Sequence, residues 1–546
     1  MMTHLDDLFG WNLRSIIDIS PNQFFATWPN IRCAVERSVM VKRAAGALLS
    51  AIRIDHASSR LLATQIVSSI RDIILTGGLR AGDRLPATRT LASDLGVSRT
   101  TMVDVFERLT AEGLLEGRTG AGTYVSQSVR IGNEEEDALP KAANGTLAAE
   151  TNNSFPSPPP VGSEFVERLP HTIRAFTTAL PAVDMFPIAQ WTRQSNKHWR
   201  EQRDVVLGYG NASGFPPLRR AIAAHLRANQ GINCQDRQIF ITNGAQHAFH
   251  IIGSMLLNRG DKVWFENPGA IGAYNALLAA GGEMVPLPID DQGLMVSEGL
   301  RRAPDFRLAF ATPLHQQPLG VTMSLERRFA LLEAAGAADA WIIEDDYDGE
   351  FYYGDHPIPT LKSIDHADRV FYVGTFSKTL FPALRLGYML VPPAFVERLE
   401  RMFSAYLPSA PLNQQAIVAG FMDEGHFATH LRRMRRVYTE RYQVLKACAD
   451  RELNGLLKLK PTDTGLHTIA HLPDELDESL VADAADKAGI TVTPFRRYAI
   501  APLTLNGLVL GFSGVPTSDI EAGSRVLADV LDNAFRGSRK AKTVRV

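Results

Sequence analysis

The sequence predicts a two-part chain: a small α+β unit near the N-terminus and a larger α/β unit built on a mostly parallel sheet. Three observations carry this expectation. A polar, proline-rich stretch between residues 129 and 164, containing NEEEDALPKAANGTLAAETNNSFPSPPPVGSE, cannot bury a core and marks a flexible linker. Ahead of it, apolar residues recur at helical spacing and then alternate around glycines. Behind it, short apolar runs ending in small or polar turns alternate with helix-length segments, the pattern of parallel strands with both faces covered.

A chain of 546 residues is too long for one ordinary domain. A net charge of −2 excludes a global attraction to nucleic acid or to an anionic membrane, so any DNA contact must come from a local patch. Cys33, Cys234 and Cys448 match no metal or disulfide spacing and read as small buried residues in a reducing compartment. No apolar run approaches the roughly 20 residues of a membrane span, and the mixed, acidic N-terminus does not suit a secretory signal, so a cytoplasmic protein is expected.

Residues 1–57 carry scattered apolar side chains without periodicity and support no functional expectation. Residues 58–128 form the small unit. LLATQIVSSIRDIIL places Leu62, Ile66, Ile70, Ile73 and Ile74 on one helical face. TRTLASDLG is a short second helix stopped by Gly96. Ser98 is the N-cap candidate of a third, which keeps Met102, Val105, Phe106 and Leu109 together until Gly113. LLEGRTGAGTYVS then alternates as a two-stranded hairpin. Three helices and a hairpin describe a winged helix-turn-helix.

The order GDRLP, TRTLA, LGVSRTT, L-x-x-EG, GAGTYV resembles the GntR-type winged helix throughout residues 79–126. The resemblance implies that the helix opening at Ser98 enters the major groove of double-stranded operator DNA. Arg99 would meet a guanine or a phosphate, and Thr100 and Thr101 backbone oxygens. Arg89 and, in the wing, Arg118 are further phosphate or minor-groove candidates. The basic run RRMRR (432–436) reads instead as a solvated helix face.

In the larger unit the polar strand ends should converge, because ligands in such sheets bind beyond the carboxyl ends of the strands. GYGNASGFPPLRRAIAAHL, ITNGAQHAF, WIIEDDYDGEF and GTFSKTLFPALRLGYMLVP resemble the fold-type I, aspartate-aminotransferase-like, pyridoxal-phosphate (PLP) domain, a three-layer α/β fold with a small C-terminal α/β subdomain. It would span 165–535, leaving 536–546 as a basic tail. Joined to a GntR-type winged helix, it points to the MocR subfamily of transcriptional regulators. The resemblance implies Lys378 as the Schiff-base lysine, Asp345 as partner of the pyridine nitrogen and Tyr347 at the ring's phenolic oxygen. Asp346 and Asp348 are rivals for the Asp345 role. The amides of Gly244, Ala245 and Gln246, with Thr375, Ser377 and Arg385, would hold the phosphate. Tyr209 matches a position that reaches the neighbouring subunit's phosphate, which implies a homodimer.

The substrate side departs from the family. Ala270 replaces the tyrosine that stacks on the ring, Gln316 or Gln317 stands for the usual asparagine, and Val509 replaces the carboxylate-reading arginine. Arg496 and Arg497 are candidate substitutes for that arginine as effector readers. The implied function is a regulator that senses PLP, an amine or an amino acid through the Lys378 Schiff base rather than an enzyme. The alternative is an aminotransferase carrying a DNA-binding appendage.

Overall fold

The computed structural model describes residues 60–129, 165–201, 203–354 and 358–544, with positions 52, 54, 55 and 58 ahead of them. The rest of the N-terminal extension and the linker 130–164 lie outside the described residues. The chain divides into two compact units, Met1–Phe155 and Pro156–Val546.

In the first unit, α1 (Leu62–Leu75) buries Ile66, Val67, Ile70 and Ile74. Leu62 and Ile73 lie half-buried at the edge of that face. α2 (Thr88–Asp94) contributes Leu91, and α3 (Arg99–Ala111) contributes Met102, Val105, Phe106 and Leu109. Each such buried aliphatic side chain is worth roughly 1.5–3 kcal/mol. The antiparallel pair β1 (Leu115–Arg118) and β2 (Gly122–Val125) closes the core by setting Leu115 opposite Val125. Gly96 and Gly113 end their helices at positive φ, 65° and 76°, as the sequence suggested. Arg71 pairs with Glu112 and ties α1 to the end of α3.

The second unit is built on an eight-stranded sheet: β3 (Ile239–Thr242), β4 (Lys262–Asn267), β5 (Glu283–Asp290), β6 (Gly293–Leu294), β7 (Leu308–Ala311), β8 (Trp341–Asp346), β9 (Val370–Thr375) and β10 (Gly387–Leu390). Their spatial order is β3-β10-β9-β8-β7-β4-β5-β6. The pairs among β9, β8, β7, β4 and β5 are parallel; β10 runs antiparallel to both neighbours and β6 antiparallel to β5. Successive residues feed opposite faces, Ile343, Phe371 and Val373 one core cluster and Ile342 and Val370 another. Both faces are therefore buried, which is why these strands are apolar runs without alternation.

A smaller antiparallel sheet, in the order β11-β12-β14-β13, follows from β11 (Lys458–Leu459), β12 (His467–His471), β13 (Thr493–Pro494) and β14 (Gly507–Gly511). The final helix runs Thr517–Val544, so the boundary drawn at residue 535 falls inside one continuous helix rather than at the start of a tail. The helix His426–Glu452 buries Leu431 and Met434 and leaves Arg432, Arg433 and Arg436 exposed, the solvated face expected of RRMRR. Cys234 and Cys448 are buried and unpaired. Among the described residues, no helix is long and apolar enough to cross a membrane.

Candidate functional site

The strand ends of the large sheet open into one cleft of about 450 Å3. Its lining includes Gly244, Ala245 and Gln246 after β3, Ala270 after β4, Gln317 after β7, Asp345 and Tyr347 from β8, and Thr375, Ser377, Lys378 and Arg385 after β9. Local geometry explains several of these placements. Gly244, at φ 89°, precedes the helix Ala245–Leu256, whose first residues, carrying amides free of intrahelical partners, line the cleft. Gly387 lets that helix start pack on β10, since a Cβ there would stand 3.0 Å from the Gly244 backbone. The Thr375 hydroxyl accepts the Ser377 amide at 3.1 Å, turning the chain so that Lys378 points into the cleft. Arg385 sits in the left-handed region at φ 49°, as does Ala179 at 63°. Non-glycine residues held there cluster at functional sites.

Lys378 is half-buried at the cleft, and its Nζ donates to the Ala179 carbonyl at 2.8 Å. Burial pulls its pKa down to about 8, with Asp348 and Asp345 pulling the other way and Arg385 assisting the fall. Such an amine is far more often unprotonated at neutral pH than an ordinary lysine.

The three aspartates of DDYD are separated by their partners. Asp346 accepts from the Tyr372 hydroxyl and, at 2.9 Å, from the Gly349 amide. Asp348 accepts from His315 Nδ1 at 2.9 Å and from the Leu466 amide at 3.2 Å. Asp345 alone turns to the cleft, with Oδ1 buried and unpartnered. Burial, then the neighbouring carboxylates, raises its pKa well above the usual range. An orphaned buried carboxylate of this kind is stabilised by a cationic N–H from a ligand. A lysine amine, that carboxylate and a phosphate-sized set of amides, hydroxyls and a guanidinium together fit a pyridoxal phosphate.

The structure does not bring every expected residue here. Arg496 donates to Glu478 at 2.9 Å and reaches Asp477 at 3.4 Å, and does not line the cleft. Arg497 donates to the Glu167 carbonyl at 3.0 Å and is likewise outside the lining. Gln316 is turned away to Glu266 and the Pro268 carbonyl, leaving Gln317 as the glutamine at the cleft. Val509 is buried among Ile469, Phe495 and Tyr498. Tyr209 is fully exposed and does not line the cleft.

Among the lining residues that were not anticipated, three carry titratable side chains: Arg168, His171 and Tyr498. Arg168 and His171 lie on the segment that emerges from the linker. It is strapped over the cleft by two bonds between Val166 and Asn275, by Arg497 on Glu167, and by Arg168 on Gln246 at 2.7 Å.

In the first unit, the Ser98 hydroxyl accepts the Thr101 amide at 3.0 Å, the N-cap read from the sequence. Arg89, Arg99 and Thr100 are exposed, and Thr101 is half-buried. Arg118 is paired with Glu116 at 2.7 Å and lies over the Tyr124 ring at 4.5 Å.

A winged helix joined to an aminotransferase-type fold with a lysine-bearing cleft defines a class of bipartite regulators. Residues 62–125 match the model of bacterial regulatory proteins of the gntR family, and 182–506 that of aminotransferase class I and II. The probable rhizopine catabolism regulatory protein MocR of Rhizobium meliloti is 38% identical over 461 residues, covering 84% of this chain and 91% of that protein. The pyridoxine biosynthesis transcriptional regulator PdxR of Corynebacterium glutamicum is 29% identical, covering 87% and 96%. Pyrococcus horikoshii kynurenine aminotransferase, solved in complex with PMP, superposes with a TM-score of 0.62 at 28% identity, covering 66% of this chain and 91% of its own. The chain belongs to the MocR-type, GntR-family transcriptional regulators with an aminotransferase-like domain.

Proposed function

We propose that this protein binds operator DNA through its winged helix and holds pyridoxal phosphate in the cleft on Lys378, sensing the cofactor itself or an amine or amino acid that displaces that lysine. The observation that carries this reading is the pair formed by Lys378, with its pKa drawn down to about 8, and the unpartnered Asp345 carboxylate in one cleft. The cofactor supplies an aldehyde that takes amines covalently and a ring that draws electrons.

The protein's own residues do the rest. Asp345 receives the ring's N–H, Tyr347 faces the phenolic oxygen, and the Gly244–Gln246 amides, Thr375, Ser377 and Arg385 grip the phosphate. Val509 in an apolar cluster and Arg496 locked to Glu478 support sensing over turnover, because neither presents a guanidinium to an α-carboxylate. Exposed Leu207, Tyr209 and Tyr406 support a homodimer in which that apolar surface is covered. Coupling requires that the ligand bind two arrangements of the protein with different affinity.

The test is operator binding by the holo-protein, titrated with amines and amino acids and run beside a coupled transaminase assay. The expected outcome is a ligand-dependent change in DNA affinity without sustained turnover. Efficient turnover with ligand-indifferent DNA binding would favour the aminotransferase reading instead.

A further inference from the structure

Behind the cleft wall, the Tyr347 hydroxyl lies 3.0 Å from His315 Nδ1. That same nitrogen lies 2.9 Å and 3.2 Å from the two carboxylate oxygens of Asp348. His467 stacks on His315 with ring centroids 4.7 Å apart and fixes itself through Nε2 to the Pro318 carbonyl at 3.0 Å. All four side chains are buried. Two glycines shape the slot for the His315 ring: a Cβ at Gly465 would meet its Cε1 at 2.1 Å, and one at Gly320 its Nε2 at 3.0 Å. On that far side Nε2 has no partner.

One proton on Nδ1 satisfies this arrangement and one on Nε2 does not. With the proton on Nε2, a buried N–H would stand unpaired, and the Nδ1 lone pair would face a carboxylate. With the proton on Nδ1, His315 donates to Asp348 and to the Tyr347 oxygen. Nδ1 then has no lone pair for the tyrosine's hydrogen, which must turn to the other side of Tyr347, and that side lines the cleft.

We propose that His315, held by Asp348, is a positioning residue that fixes the Tyr347 hydroxyl with its hydrogen toward the cleft, where it donates to the phenolic oxygen of the cofactor ring. This rests on the reading of the cleft as a pyridoxal-phosphate site. The groups facing Tyr347 are Asp348, Asp345, Tyr498 and Glu266, with His315 behind it. Burial first, and then those acidic groups, raises the Tyr347 pKa well above its usual value and keeps the hydroxyl a donor. Lys378 in turn faces Asp348, Asp345 and Arg385. His467 stays neutral, drawn down to about 4 by burial and by His315.

The test reads the pH midpoint of the visible absorption that the cofactor gives when bound to Lys378. A hydrogen bond to the ring oxygen stabilises its anion and lowers the proton affinity of the adjacent nitrogen. Losing that bond raises the midpoint, and His315→Leu should do so by about one pH unit, the size of one neutral hydrogen bond. His315→Gln, whose amide reaches the place of Nε2 rather than Nδ1, serves as a second loss variant. His315→Asn, whose amide can stand where Nδ1 stands, should return the midpoint toward the wild-type value. In a Tyr347→Phe background the His315 substitutions should move nothing, because their target is gone. An unchanged midpoint in both loss variants, or an equal shift without Tyr347, overturns the proposal. A wild-type protein that develops no visible absorption with pyridoxal phosphate overturns the reading of the cleft itself, and with it this inference.

Discussion

The two units place their functional groups in opposite environments. In the winged helix, Arg89, Arg99 and Thr100 stand exposed on short, locally determined elements, and Ser98 acts within three residues of itself. In the aminotransferase-like unit, buried Asp345 and Tyr347 and half-buried Lys378 are brought together from separate strand ends. An exposed arginine costs little to remove and its loss is felt by the partner. A buried carboxylate or amine is coupled to its neighbours, so its removal is felt throughout the site.

That contrast can be broken or sharpened by substitution. The largest effect is expected from Lys378→Ala, which removes the only amine lining the cleft among the described residues. Visible absorption of the protein with pyridoxal phosphate should vanish, and a spectrum like that of the wild type would refute the assignment. Next, Arg99→Ala should weaken operator binding by about 1–3 kcal/mol, roughly five- to 150-fold, while leaving the cofactor spectrum unchanged. A gel-shift titration beside an absorption spectrum measures both. A spectral change would break the separation between the units. The smallest effect is expected from Ser98→Ala, which removes the cap on the Thr101 amide and costs about 1 kcal/mol. Calorimetry of the full chain should show the loss in the transition of the small unit only.

The same contrast governed how much could be read from the sequence. The winged helix was legible because periodicity, caps and glycine stops act within a few residues. Ser98 and Gly113 do in the structure what their positions implied. The convergence of the candidate residues on one cleft was legible because they stand at or after the ends of apolar strands, and parallel strands deliver their ends to one place. What failed depended on partners far along the chain. Arg496 looked free beside Arg497, but Glu478 holds one and the Glu167 carbonyl the other. Arg168 and His171 gave no signal, because they follow a linker with no periodicity and reach the cleft only through tertiary packing. His315 stood in plain view in PLHQQPLG, yet its pairing with Asp348 spans 33 residues and appears only in the fold.

The cleft has one stitched wall and one laced wall. On the stitched side, two buried bonds, Asp348 to the Leu466 amide and His467 to the Pro318 carbonyl, and a part-buried one from Tyr353 to the Gly465 carbonyl join the large sheet's loops to the small sheet. On the laced side, residues 165–171 are held by Asn275, Arg497 and Gln246 through part-buried or exposed bonds. Opening free energy follows burial, so the laced wall lifts at lower cost than the stitched one yields. Amide hydrogens at Val166 should therefore exchange well before those at Gly465 and Leu466. The wall with the lower opening cost is also the one that directly follows residues 130–164 in the chain, so the weakest edge of the cleft is the one nearest in sequence to the small unit.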